Sequence, residues 1–387
     1  MSEMYRFSLR YQSTQLFFGE RAIDDIESFI ESLGGELDIV IAMGRSSAKV
    51  SGAFDDVLSV LKKHEINYVV YDKITPNPWT SQVDELARLI REIGADLVIA
   101  IGGGSVIDTA KFSAVLALSG GTAEKFIRGE VRNKRSVPVI AVNLTHGTGT
   151  EIDRYSVATI DDKLEKHGLA TKYPEIGVDD PRYTLSLDKK QTIYTSIDAF
   201  YHAYESATST ERNIFIRSLS TEAIRLIHSY LPRTLNNLRD LEARTYLLYA
   251  SMIAGIAIDT GSTHLNHALE HVFSGLNPSL AHGAGLGVLG PRVIYYTHKA
   301  VPEDSAEVLR TLDPSIRPSP EDAEKAERIV REFMERIGFR ERLSDYGFGR
   351  DDLSRVIEYF HRIGGRSSAT PFEVSDEIVR DIFLSSL

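Results

Sequence analysis

"DLVIAIGGGSVIDTAK", residues 96–111, passes from a β-rich apolar run through three consecutive glycines into a stretch of helical period. This order of strand, glycine-rich turn and helix decides the fold. Comparable apolar runs lie on either side of it: "LDIVIAM" (37–43), "NYVVYD" (67–72) and "VPVIAVNL" (137–144). Amphipathic segments separate them, among them "SGAFDDVLSVLKKH" (51–64) and "SQVDELARLIREIG" (81–94). Strands alternating with helices of this length predict a mostly parallel sheet covered on both faces. In such sheets ligands bind at the carboxyl ends of the strands, where the loops carry the chemistry.

The glycine turn itself, Gly102, Gly103 and Gly104, lets backbone N–H groups approach an anion closely, with Ser105 as the expected N-cap of the helix beyond. The spacing is not GxGxxG, so no Rossmann fingerprint is read here. A second loop, "NLTHGTGTE" (143–151), repeats the arrangement after the next strand, with Thr145, Thr148 and Thr150 as hydroxyl donors beside glycines. Two such loops on consecutive strands predict a diphosphate site.

At the expected adenosine end, "GRSSAKVSG" (44–52) contains neither Asp nor Glu. An acid at this point would bind the ribose 2′-OH of NAD. Gly44, Arg45, Ser46, Ser47 and Lys49 stand there instead. These residues suit a 2′-phosphate, hence NADP rather than NAD, or else form an ordinary exposed basic turn.

From about residue 182 the β-rich runs stop and helical period dominates, with "DDPRYTLSL" (179–187) as the junction. The expected domains are therefore 1–181, α/β and dinucleotide-binding, and 182–387, all-helical. The stretch 302–320 reads as a charged, Pro-containing surface connection. In "SIDAFYHAYES" (196–206), Asp198 and His202 project from one helical face, where they can ligate one divalent cation or simply form an i,i+4 pair. "HLNHALEHVFSGLNPSLAH" (264–282) adds four histidines, and helix spacing alone treats His264, His267 and His271 alike.

Bulk properties exclude several classes. With no cysteine, disulfides, iron–sulfur clusters, thiolate zinc and cysteine nucleophiles are ruled out, so any metal rests on His, Asp or Glu. A formal net charge of −11 argues against a nucleic-acid partner, and "RGEVRNKR" (128–135) reads as a solvated loop. The apolar runs are too short for a membrane span, and "MSEMYRFSLRYQ" does not read as a signal peptide, so a cytoplasmic protein is expected.

"GGGSVIDTAK", "THGTGTE", "DDPRYT", "SIDAFYHAYE" and "HALEHVFSGLNPSLAHG" occur in an order that resembles the iron-containing (group III) alcohol dehydrogenase family, over essentially the whole chain. The resemblance implies a dehydroquinate synthase-like architecture, an α/β dinucleotide-binding domain followed by a helical metal-binding and substrate domain. Carried over by position, it implies the metal ligands Asp198, His202, His267 and His282, with His271 as a proton relay and His264 outside the ligand set. On the cofactor side it places Gly102 to Ser105 and Asp108 around the pyrophosphate. It sets Thr145, Thr148, Tyr155 and Lys166 near the phosphates, ribose and nicotinamide, and Asn77 by the adenosine. It also implies Fe2+, with Zn2+ as the alternative, and a homodimer.

Three departures stand out, one of them an interval from His267 to His282 that is one residue longer than is common. The family usually has Gly two residues before the metal Asp, where this chain has Ser196. Its usual "TTAGTGSE" is here "LTHGTGTE", which puts His146 at the expected cofactor position, as a cofactor or substrate contact or as a structural hydrogen bond. For Lys111, cofactor contact competes with helix-surface charge, and surface charge is the expectation. His64, His167 and His228 are read as non-catalytic.

The expected reaction is hydride transfer between a nicotinamide and a small primary alcohol, diol or aldehyde held by the metal. Alternatives in the same superfamily are polyol or glycerol-phosphate dehydrogenases and a dehydroquinate synthase-like lyase. A phosphorylated substrate would call for a Lys/Arg cluster, and none lies within 198–205 or 264–282.

Overall fold

The structure, a computed structural model, describes residues 5–132, 135–365 and 368–387. Part of the basic 128–135 stretch, Asn133 and Lys134, lies outside the described residues. The chain forms two compact units: Met1–Thr145 with Gly149–Leu187, and His146–Thr148 with Asp188–Leu387.

The first unit is built on a seven-stranded sheet in the order β1-β2-β9-β6-β5-β3-β4. Its strands are β1 (Phe7–Tyr11), β2 (Thr14–Phe18), β3 (Asp38–Met43), β4 (Asn67–Tyr71), β5 (Leu97–Gly102), β6 (Val139–Asn143) and β9 (Ile176–Asp179). Only β1 and β2 pair antiparallel; every other pairing is parallel. A separate antiparallel hairpin joins β7 (Tyr155–Ile160) to β8 (Glu165–Ala170). The helices are α1 (Ile26–Leu33), α2 (Ser47–Val50), α3 (Ala53–Lys63), α4 (Thr80–Ile93), α5 (Gly104–Ser119) and α6 (Ala123–Ile127).

The continuous apolar runs of β3, β5 and β6 follow from burial on both faces of the sheet. Ile39, Ile41, Leu97, Ile99, Ile101, Ile140 and Val142 pack on one side with Ile26 and Ile30 of α1 and Val57 and Leu61 of α3. The alternate residues Val40, Ala42, Val98, Ala100, Val139 and Ala141 pack on the other with α4 and α5. From β3 the chain moves outward to β4, and from β5 it moves the opposite way to β6. The order therefore reverses between β3 and β5, where a parallel sheet opens a crevice at its carboxyl edge.

The second unit is helical: α7 (Lys189–Thr208), α8 (Ile214–Asn236), α9 (Leu241–Gly261), α10 (Leu265–Leu276), α11 (His282–Ala300), α12 (Pro302–Leu309), α13 (Ala323–Arg336), α14 (Leu353–Arg362) and α15 (Asp376–Ser385). Asp188 caps α7 by accepting from Gln191 N. From Thr192 onward nearly all of α7 is buried, polar residues included.

Two local expectations are corrected. The helix after the glycine turn starts at Gly104 with extended Gly103 as its N-cap, so Ser105 lies inside it. The stretch 302–320 opens with α12, whose Ser305, Ala306, Val308 and Leu309 are buried. Pro302 sits in the first turn, where its missing N–H costs nothing. Among the described residues no helix is long and apolar enough to cross a membrane.

Candidate metal and nucleotide sites

Helix α7 carries Asp198, His202 and Glu205 on one stripe, at i, i+4 and i+7. His267 lies in the first turn of α10, and His282 is the first residue of α11. What lets α11 approach α7 is Gly283, because a Cβ there would fall 2.1 Å from the carbonyl oxygen of Tyr194. Its neighbour His282 is thereby brought against Asp198.

The Nε2 atoms of His202, His267 and His282 stand 3.3, 3.5 and 3.6 Å from Asp198 Oδ1. Asp198 Oδ1 and His267 Nε2 are buried and have no hydrogen-bond partner among the described residues. Buried polar atoms are ordinarily paired, so this arrangement needs an explanation. Four donors about 2.1 Å from a tetrahedral divalent ion stand about 3.4 Å from one another. Ligating atoms of Asp198, His267 and His282 lie within 4.8 Å of one another, while His202 joins them through its 3.3 Å approach to Asp198 Oδ1 and falls outside that cluster. The chemistry of these imidazoles and the carboxylate fits a divalent ion, iron or zinc.

Electrostatics agree. Burial alone would raise the Asp198 pKa, but the neighbouring His202, His282 and His267 hold it well below the usual carboxylate range. Burial pushes His202 down to about 4, leaving its lone pair available at neutral pH. His267 also feels burial, yet Glu205 and Asp198 outweigh it and push it up to about 9. A cation, proton or metal, is what this pocket favours.

Behind the donors stand two carboxylates. His267 Nδ1 donates to Glu205 and His282 Nδ1 to Glu270, both glutamates being fully buried. These residues were missed in the sequence, although Glu205 completes the stripe of α7 and Glu270 lies one turn beyond His267. His264 ligates nothing and caps α10, accepting from Leu265 N at Nδ1 with Nε2 3.0 Å from Thr208 Oγ1. His271 is half-buried with its ring 5.8 Å from that of His282, and ligating atoms of Glu270, His271 and His282 lie within 4.8 Å of one another.

In the α/β unit, most of the residues expected around a dinucleotide share the carboxyl edge of the sheet. Gly44, Arg45, Ser46 and Lys49 follow β3, Asn77 follows β4, Gly102–Ser105 follow β5 and Thr145 follows β6. The two glycine-rich loops touch: a Cβ on Gly103 would lie 2.8 Å from the Thr145 side chain. Arg45, Ser46, Ser47 and Lys49 are exposed around the start of α2. Lys166 Nζ donates to Asn77 Oδ1 at 3.1 Å, and Asn77 takes a left-handed backbone with φ 50°. Tyr155, at the start of β7, is half-buried beneath the Arg154 guanidinium.

Asp108 faces inward instead, accepting from Thr150 Oγ1 at 2.6 Å and from Val157 N at 3.0 Å. Lys111, expected at a helix surface, is fully buried. Its ammonium donates to Thr150 O and Oγ1 and to Asp153 O and Oδ1 at 2.6–3.1 Å. Burial raises the Asp153 pKa to about 7 against the pull of Lys111. Together Lys111 and Asp108 bracket the loop 149–157 to α5.

His146 and Thr148 belong to the helical unit, and the other cofactor candidates belong to the α/β unit. His146 is fully buried and, of its two readings, makes the structural hydrogen bond. Arg244 Nη1 donates to its Nε2 at 3.0 Å. Nδ1 therefore carries the proton, facing Thr195 Oγ1 at 3.2 Å and Ser196 Oγ at 3.3 Å. Burial, with Arg244 adding to it, lowers the His146 pKa to about 3. Ser196 and His146, two of the departures noted in the sequence, are thus partners.

Comparisons with known proteins give the family. Residues 13–181 match the family model of iron-containing alcohol dehydrogenases, and residues 192–386 match its C-terminal domain. A long-chain primary alcohol dehydrogenase of Thermoanaerobacter ethanolicus is 40% identical, over 98% of this chain and 97% of its own. The 1,3-propanediol dehydrogenase of Klebsiella pneumoniae is 28% identical over 95% of each chain. Among solved structures, an NADH-dependent butanol dehydrogenase A of Thermotoga maritima has a TM-score of 0.89 at 26% identity, covering 99% of each chain. The α/β unit and the helical unit are the architecture of those chains, and the chemistry is oxidoreduction between alcohol and aldehyde with a nicotinamide cofactor and a metal. The chain belongs to the iron-containing alcohol dehydrogenase family.

Proposed function

We propose that the protein is an NADP(H)-linked alcohol dehydrogenase and aldehyde reductase for small primary alcohols, diols and their aldehydes, with a divalent ion held by Asp198, His202, His267 and His282. The observation that carries this reading is the set of three imidazole nitrogens 3.3–3.6 Å from the unpartnered Asp198 Oδ1. When bound, the metal supplies a Lewis acid that polarises the substrate C–O bond. Iron is the first choice and zinc the second.

The remaining work falls to the chain's own groups. The amides of Gly102–Ser105 at the head of α5 bind the pyrophosphate. Thr145, Thr148, Tyr155 and Lys166 orient the ribose and nicotinamide, and Asn77 the adenosine. Arg45 and Lys49 pair with the 2′-phosphate, since residues 44–52 contain no acid to bind a free 2′-OH. His271, on the side of the centre where His282 is 25% exposed, passes the alcohol proton to solvent. The balance is alcohol and NADP+ to aldehyde, NADPH and one proton. The T. ethanolicus relative supports primary alcohols as the class.

The test is absorbance of reduced nicotinamide with NADP and then NAD, over an alcohol panel, on protein reconstituted with iron or zinc. Turnover favouring NADP is expected. No turnover with either metal would overturn the assigned activity, and a strong NAD preference would overturn the role of Arg45 and Lys49. His271→Ala with unchanged rate and pH profile would remove the proton relay.

A further inference from the structure

We propose that Glu205 and Glu270 are positioning residues of the metal centre, each locking one ligating imidazole, and that together they set how tightly the ion is held. The inference rests on the metal-centre reading above and extends it to residues outside the ligand set.

Glu205 shares the stripe of α7 with Asp198 and His202 and is fully buried. Its oxygens accept from Asn266 N at 2.6 Å, from His267 N at 3.4 Å and from His267 Nδ1, and His264 Nδ1 lies 3.1 Å away. The two amides belong to the first turn of α10, so Glu205 serves that turn as a cap. Capping needs only a neutral oxygen acceptor. The bond to the His267 ring is additional, and it points Nε2 at Asp198.

Glu270 reaches its imidazole by a different route. It lies on α10, one turn beyond His267, and meets His282 Nδ1 at the head of α11. Room for it comes from Gly285, where a Cβ would fall 2.8 Å from Glu270 Cγ. Two glutamates on different helices thus perform the same operation on two ligands. His202 differs from both, because its Nδ1 is buried with no partner among the described residues.

A carboxylate on Nδ1 fixes which nitrogen bears the proton, holds the ring plane and makes Nε2 a stronger donor. This chain has no cysteine to supply thiolate donors. The two buried glutamates give its neutral imidazoles part of the anionic character that thiolates would bring.

The experiment strips metal from the wild-type protein, Glu205→Gln and Glu270→Gln, then titrates each with Zn2+ and Co2+ against a chromophoric chelator. Melting of the apoproteins is the control. Glutamine keeps one acceptor oxygen for the Asn266 amide at the head of α10 and removes the charge behind the imidazole. Expected are unchanged apoprotein melting, dissociation constants raised about 10–100-fold in each variant, and a shifted visible Co2+ band. Wild-type affinity in both variants overturns the proposal. Loss of apoprotein stability without loss of affinity reduces Glu205 to a cap and likewise overturns its assignment. Should Glu205→Gln fail to fold, Glu270→Gln decides the question, since its carboxylate caps no part of α10. A wild-type protein that binds neither ion overturns the metal centre itself, which is a separate result.

Discussion

His267 aims Nε2 at Asp198 Oδ1 across 3.5 Å while Glu205 holds its Nδ1. The gap is too long for a good hydrogen bond and suits two donors that share an ion. Each of the two side chains is anchored on a different buried helix, α7 or α10, which fixes the gap between them.

That shape depends on a residue that ligates nothing. In Gly283→Ala the new Cβ would collide with backbone, not with a flexible side chain, and α11 must retreat from α7 by on the order of 1 Å. Overpacking of this kind costs about 1–3 kcal/mol. The expected outcome is a lower melting temperature together with poor metal retention, read by denaturation and by metal analysis after dialysis. Wild-type metal content would show that His282 does not need the close helix approach.

Lys111 and Asp153 form a fully buried ion pair, and breaking such a pair from one side costs about 3–5 kcal/mol. Lys111→Met is expected to lose stability on that scale in urea unfolding. Adding Asp153→Asn should recover part of the loss, because the stranded carboxylate is then gone. Strictly additive losses would show that the two residues are not coupled.

His146 predicts an acid limb. Unfolded, its pKa is about 6.5; folded, burial and Arg244 bring it to about 3. Between those values the unfolded chain binds a proton that the native state refuses. The stability is present above the unfolded value and is lost as pH falls toward the folded one, by about 1.4 kcal/mol per pH unit. His146→Ala should be less stable at pH 7 but should decline less steeply between about pH 6 and pH 4. Urea unfolding across that range gives the slope; an acid limb as steep as the wild type's would refute the assignment.

At the adenosine end, Arg45→Ala with Lys49→Ala removes the exposed cations beside α2. Each charge-assisted hydrogen bond lost is worth about 1.5–3 kcal/mol. Affinity for NADP should fall at least about tenfold with NAD binding unchanged, measured by quenching or calorimetry. Equal losses for both cofactors would place these residues away from the 2′-phosphate.

The parts of the molecule with strong period were legible in the sequence. The strands 37–43, 96–103 and 137–144 read as β3, β5 and β6 because burial on both faces keeps them apolar throughout, and 67–72 read as β4 from its β-branched and aromatic residues although it is an exposed edge strand. The hairpins β1–β2 and β7–β8 went unread, since "FSLRY" and "EKHGLA" are short and mix charge with apolar residues. Pro302 read as a break when it opens α12. Lys111 and Asp153 were invisible as a pair, because only the fold brings residues so far apart in sequence together. Glu205 could have been found from its spacing to Asp198, but a carboxylate on a helix is ordinarily a solvent-facing charge.

The contact between His146 and Ser196 carries a consequence for descent. One residue lies in the loop after β6 and the other on α7, and each departs from the usual small residue at its position. A buried imidazole at 146 needs a polar partner for Nδ1, which Ser196 shares with Thr195, and a hydroxyl at 196 has less reason to be kept without the imidazole. Across related chains these two positions should therefore change together, as a histidine with a hydroxyl or as two small residues, and mixed pairings should be rare.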